Sequence, residues 1–322
     1  MKKTVFALLG LLLITCKPGM KSPESGAENN PPAIPEITAT TVGEKMSFLA
    51  SDELEGRASG GEGIEKAATY IEDFFKSHTI APYFSTYKDT LSNFEEKAYN
   101  IVGVVPGNDP ALKDEFIIVG AHYDHVGTGK DVDGDTVFNG ANDNASGTVA
   151  VMELAKHFAH SRSNKRSLLF VLFSAEERGL LGSDHLAKRL KAENVTLYVM
   201  VNFEMIGVPM TAPHSAYITG YELSNMAEKI NEYSGKNTVG FLATAKQYQL
   251  FKRSDNYPFY REFSIPAQTL STFDFTNFNY YHHVEDEISE MDFNHMSDLI
   301  NQIILPLERM ANSADQEIKM NE

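Results

Sequence analysis

Three apolar runs constrain this chain more than any other feature: "EFIIVGA" (115–121), "SLLFVLFSA" (167–175) and "LYVMVNF" (197–203). Each is continuous rather than alternating, so each reads as a strand buried on both faces. Segments with helical periodicity separate them, "ASGTVAVMELAKHF" after the first and "LLGSDHLAKRLK" after the second. Strand and helix in alternation predict an α/β fold, a three-layer α/β/α sandwich around a mostly parallel central sheet. "YNIVGVVPG" and "IPAQTLS" read as further strands. "IEKAATYIEDFF" places Ile64, Ala68, Ile71 and Phe75 on one helical face, and "ELSNMAEKINEYS" also looks helical. The last helix is expected in "MDFNHMSDLINQIILPLERMA", with Pro306 kinking it or marking its last turns. Met152, Leu154 and Phe158 are expected in the core.

At 322 residues and 42% hydrophobic content, the chain can build one large core, and 22% charged residues is not a disordered composition. The formal net charge of -16, unbroken by any basic run, argues against nucleic-acid partners. "MKKTVFALLGLLLITCK" pairs two lysines with an apolar run too short to span a bilayer, the pattern of a bacterial secretory signal. Leu13-Ile14-Thr15-Cys16 resembles a lipobox, in which the cysteine carries lipid and becomes the first mature residue. Cys16 is the only cysteine, so no intramolecular disulfide can form. Residues 17–36 are rich in Pro, Gly, Ser and Asn and read as a tether. The expected organisation is a signal peptide over 1–15, a tether over 16–36 and one catalytic domain over 37–322. The chain is then exported from a bacterial cytoplasm and held at the membrane, or in the periplasm, through a lipid anchor on Cys16. Oligomeric state is not legible.

Groups that bind metals follow the strands directly. His122-Tyr123-Asp124-His125 follows the first, Glu176-Glu177 the second and Glu204 the third, while Asp143 opens the helix after the first strand. "YYHHVEDE" adds His282 and His283. In open α/β sheets functional groups gather beyond the carboxyl ends of the strands. Each piece also has a plainer explanation. Asp143 is placed to cap a helix, Glu176-Glu177 to oppose a helix dipole, and His122 to be a loop histidine held by Asp124. His282-His283 would then lie on the surface.

Taken together, "GAHYDHVG", "GANDNASG", "FSAEERGLLGS", "NFEMIG" and "YYHHVEDE", in this order, resemble the co-catalytic di-zinc aminopeptidases. That superfamily also holds glutamate carboxypeptidase II, transferrin receptor and the glutaminyl cyclases. The resemblance extends from "LASDELEGRASGGEG" to the last helix, without the family's protease-associated insert. It implies two Zn2+ ions per chain and peptide substrates. Asp143 bridges the ions in this scheme. His122 and Glu204 hold one of them, and Glu177 and His282 the other. Glu176 is the general base, and Asp124 orients His122 from behind. His283 ranks second to His282, and Asp255 matches a family "SD" stretch that supports the site. Glu204 departs from the family, which usually has Asp there; the ligand group is the same on a longer stem.

A zinc-dependent exopeptidase, specifically an aminopeptidase, is the function this implies. The alternatives are a glutaminyl cyclase-like acyltransferase on the same fold and a binding protein with a dead site. Cyclases typically keep fewer of the ligands, and a dead site has no need of Glu176. The pocket is expected to draw on "KRSDNYPFYREFSIP" and "STFDFTNFNYY", whose Phe273, Phe275, Phe278 and Tyr280 either line it or belong to lid or core.

Overall fold

The computed structural model describes Met1 and residues 34–322. The signal peptide, Cys16 and nearly all of the tether lie outside the described residues. Ile37, where folded sequence is expected to begin, is buried beside the first helix.

The helices are α1 (Ala39–Leu49), α2 (Glu62–Ser77), α3 (Ser146–Ser161), α4 (Leu181–Ala192), α5 (Met226–Ser234), α6 (Ala243–Gln247), α7 (Asn256–Phe263) and α8 (Phe293–Asn312). The strands are β1 (Ala81–Pro82), β2 (Lys88–Thr90), β3 (Tyr99–Val105), β4 (Glu115–His122), β5 (Gly127–Val132), β6 (Asp135–Phe138), β7 (Ser167–Phe173), β8 (Thr196–Phe203), β9 (Ala216–Ile218), β10 (Val239–Gly240) and β11 (Ala267–Ser271). Nine of them form the main sheet in the order β1-β3-β7-β4-β8-β11-β9-β10, with β2 also paired to β3. The four central strands β7, β4, β8 and β11 are mutually parallel, while β3 and β9 meet this block antiparallel. β5 and β6 pair apart as a hairpin.

The continuous apolar runs become buried central strands because both faces of the sheet are covered. In β7, Leu168, Phe170 and Leu172 face a core shared with α1, α2, α3 and α8. Leu169, Val171 and Phe173 face the opposite core, against Leu186 and Leu190 of α4 and Phe259 of α7. Met152, Leu154 and Phe158 are fully buried. Pro306 lies within α8, which continues two turns beyond it, so it marks the last turns without ending the helix. Among the described residues no helix is long and apolar enough to cross a membrane.

Candidate metal centre

Parallel strands in register deliver their final residues to one edge. His122 is the last residue of β4 and sits level with Phe173 of β7, while Gly120 sits level with Asn202 of β8. The residues that follow, Glu176 and Glu177 after β7 and Glu204 after β8, therefore meet His122 over the sheet's carboxyl edge.

The helix-cap explanation for Asp143 fails. α3 begins at Ser146 with Ala145 in the cap position, and Asp143 sits in a wide turn (Ala141–Ala145) with φ −108° and ψ 94°, away from helical values. The Asp143–Asn144 peptide is cis. The flanking asparagines explain the sequence "NDN", since an amide side chain both donates and accepts. Asn144 donates to the Phe203 carbonyl (3.0 Å) and accepts the N–H groups of Gly147 (3.0 Å) and Met205 (3.1 Å). Asn142 Oδ1 accepts the Gly207 N–H at 2.9 Å. Both stitch the Asp143 turn to the segment carrying Glu204. Gly147 permits that approach, because a Cβ there would fall 2.5 Å from the Phe203 carbonyl oxygen.

Glu176 and Glu177 do not open a helix either. α4 begins only at Leu181, and the two glutamates lie in the turn before it. Asp124 shapes that turn. Its carboxylate accepts the N–H of Glu176 (3.2 Å), the more distant N–H of Glu177 (3.4 Å) and the Ser59 hydroxyl (3.1 Å). His122 Nδ1 lies 3.1 Å from the Asp124 carbonyl oxygen but 3.7 Å from its carboxylate. Asp124 thus orients His122 through its backbone and holds the glutamates with its side chain.

The side chains gather into two groups, His122 with Glu176 and Glu204, and His125 with Asp143, Glu177 and His282; within each, one donor atom per residue lies within 4.8 Å of the others. Asp143 touches both. Its Oδ1 is 3.3 Å from His122 Nε2, and its Oδ2 is 3.2 Å from His282 Nε2. Glu177 Oε1 lies 3.0 Å from His282 Nε2 and 3.2 Å from His125 Nδ1. The structure thus brings all seven expected residues to one place. It keeps His283 out, with Nδ1 turned to the Glu285 N–H at 3.1 Å. Asp255 lies buried under the site with neither carboxylate oxygen hydrogen-bonded.

Two participants escape a reading of the sequence. His125 carries no assigned role there, although "HYDH" offers it beside His122. Arg57 is fully buried and spends its guanidinium on backbone carbonyls: Tyr123 (2.9 Å), Asn139 (2.6 Å), Gly140 (3.0 Å) and Leu49. It ties the loops that carry the two groups to the segment after α1. Nothing local in "LEGRASGG" signals this.

The donor set suits cations. His122 Nε2 and Glu204 Oε2 are buried without a hydrogen-bond partner, a costly state unless something positive binds them. Burial pushes the Glu176 carboxyl well above the usual carboxylate range, and Glu204 and Asp255 nearby add to it while His122 opposes. Burial likewise raises Glu204 to about 7. His282 moves the other way for a base: burial would lower it, but Asp143 and Glu177 hold its proton and raise it to about 10. Carboxylates crowded this closely demand compensating positive charge. Imidazole and carboxylate donors without thiolate are the set found at catalytic rather than closed structural zinc sites.

Beside the two groups opens a cavity of about 510 Å³, walled by Met205, Tyr217, Thr219, Phe273, Phe275 and Tyr281. Lys252, Arg253 and Ser254 reach its rim, so both expected segments contribute. Phe273 and Phe275 line it, whereas Phe278 is buried in the core.

Residues 100–305 match the model of peptidase family M28. The chain belongs to peptidase family M28. The M28 match spans every strand end and loop of the site except the segment that carries Arg57 and Ser59. Among curated relatives, the chain is 31% identical to "Leupeptin-inactivating enzyme 1" of Streptomyces exfoliatus, over 64% of this chain and 44% of that protein. It is 30% identical to a "Probable leucine aminopeptidase" of Trichophyton verrucosum, over 62% and 52% respectively. The chain spans about half the length of these relatives. Its fold resembles that of a zinc aminopeptidase from Bacillus subtilis, with a TM-score of 0.67 at 16% identity, covering 90% of this chain and 99% of that one. At that identity the likeness speaks to fold alone.

Proposed function

We propose that this M28 chain is a zinc-dependent aminopeptidase, removing N-terminal residues from peptides at a centre that holds two zinc ions. One observation carries the reading: a single carboxylate, Asp143, faces both donor groups, one oxygen to each. His122 and Glu204 would hold one ion, Glu177 and His282 the other, and Asp143 both. Bound there, zinc would supply Lewis acidity, lowering the pKa of water toward neutrality and polarising a peptide carbonyl.

The remaining work falls to the chain. Glu176 belongs to no bridging contact and has a carboxyl raised by burial, which suits a group that takes a proton from water and delivers it to the leaving amine. Asp124 fixes it through the Glu176 N–H. The cavity receives the substrate's first side chain, its aromatic walls favouring apolar residues. No nucleophile motif competes with this scheme. The Cys16 anchor and export rest on the N-terminal sequence and remain part of the same proposal; Cys16→Ala would release the chain from membrane fractions if they hold.

The test is digestion of a mixed peptide pool read by mass spectrometry, with zinc, with chelator and with Glu176→Ala. Stepwise loss of N-terminal residues, abolished by chelator and reduced by roughly 10²–10⁴-fold in Glu176→Ala with bound zinc retained, is expected. Loss of metal together with activity in that variant would make Glu176 a ligand instead. N-terminal cyclisation without cleavage would replace the peptidase by an acyltransferase.

A further inference from the structure

We propose that Asp286 is a positioning residue that sets the place of Asp143, and through it the affinity of the whole centre for divalent cations. Three consecutive amides enter the Asp143 turn, and Asp286 takes all three. The Ala141 N–H donates to its backbone carbonyl (3.0 Å), the Asn142 N–H to Oδ1 (2.7 Å) and the Asp143 N–H to Oδ2 (3.0 Å). These are the first three amides of the turn, which has no acceptor of its own for them. Asp286 supplies all three acceptors.

Its place in the chain matters as much. Asp286 lies four residues after His282. His282 has a left-handed backbone (φ 52°) and a side chain 34% exposed, more than that of Asp143, Glu177, His122 or His125. By gripping the Asp143 turn, the same short loop fixes His282 against Asp143 at 3.2 Å. The anchor is itself fully buried. Both of its carboxylate oxygens are committed to the amides of Asn142 and Asp143. Arg57 completes the clamp by holding the preceding carbonyls of Asn139 and Gly140.

The proposal rests on Asp143 as the shared ligand, and the test separates the two. Full-length Asp286→Asn and Asp286→Ala are titrated with Zn2+ against a chromophoric chelator, and with Co2+ while its visible absorption is recorded. kcat and KM are measured alongside melting with and without chelator. Groups that orient metal ligands typically change metal affinity by about 10–100-fold. That loss is expected for Asp286→Ala, with an altered Co2+ spectrum and a fall in kcat larger than any rise in KM. Asp286→Asn keeps one acceptor oxygen and should fall between it and the wild type. Glu287→Gln, next in the chain, should match the wild type. Wild-type zinc affinity and Co2+ spectrum in a folded Asp286→Asn would overturn the proposal, even with a lowered melting temperature. If Asp286→Ala does not fold, Asp286→Asn decides alone. A wild-type chain that binds zinc but cleaves no peptide refutes the aminopeptidase and leaves the affinity test standing. A wild-type chain that binds neither cation overturns both.

Discussion

The two donor groups are built differently. His122, Glu176 and Glu204 stand at or just past the ends of three adjacent parallel strands, β4, β7 and β8. Their spacing is inherited from a ladder whose strands lie about 4.8 Å apart. His125, Asp143, Glu177 and His282 sit on turns and loops instead. Their spacing comes from side chains bonded to backbone: Asn142 and Asn144 on the β8 segment, Asp124 on the Glu177 N–H, and Asp286 and Arg57 on the Asp143 turn. In the first group His122 and Glu204 come with the sheet, while Glu176 also depends on the turn that Asp124 holds. The second requires contacts between residues far apart in sequence and is the one that perturbation should break first.

The largest effect expected is that of Asp143→Ala, which removes the residue common to both groups. Metal analysis should then find neither ion retained, and hydrolysis should vanish; wild-type metal content would remove Asp143 from its bridging role. His282→Ala sharpens the contrast. It empties the loop-built group only, so one ion per chain should stay with His122 and Glu204 while hydrolysis falls sharply. Loss of both ions together would show that the groups are not separable. Glu204→Asp should have the smallest effect, since the carboxylate is kept on a shorter stem. Peptide hydrolysis should be unchanged or raised, and metal affinity that is indifferent even to Glu204→Ala would take Glu204 out of the donor set.

The same contrast explains what could be read from the chain. The central strands were legible because their apolar runs are unbroken and end abruptly at His122, Glu176 and Glu204. The antiparallel attachment of β3 was not, because hydrophobic pattern does not encode direction. All seven candidate site residues were identifiable on the motifs that carry them, yet residue type alone left Asp143 open to a capping role. Only the start of α3 at Ser146 decided against it. Arg57 and the clamp made by Asp286 were hidden for one reason. Asp286 reaches across 143 and 144 residues to its amides, and Arg57 across 82 and 83 to its carbonyls. No periodicity or short motif records such pairings. The aromatic segment was legible only as a set: Phe273 belongs to the core and also lines the cavity with Phe275, while Phe278 belongs to the core alone.

The most direct test of the account is a count of zinc ions per folded chain at saturation, by native mass spectrometry of the full-length protein. Two ions are expected. Saturation at a single ion, or no retained zinc, would contradict a centre in which Asp143 serves both groups.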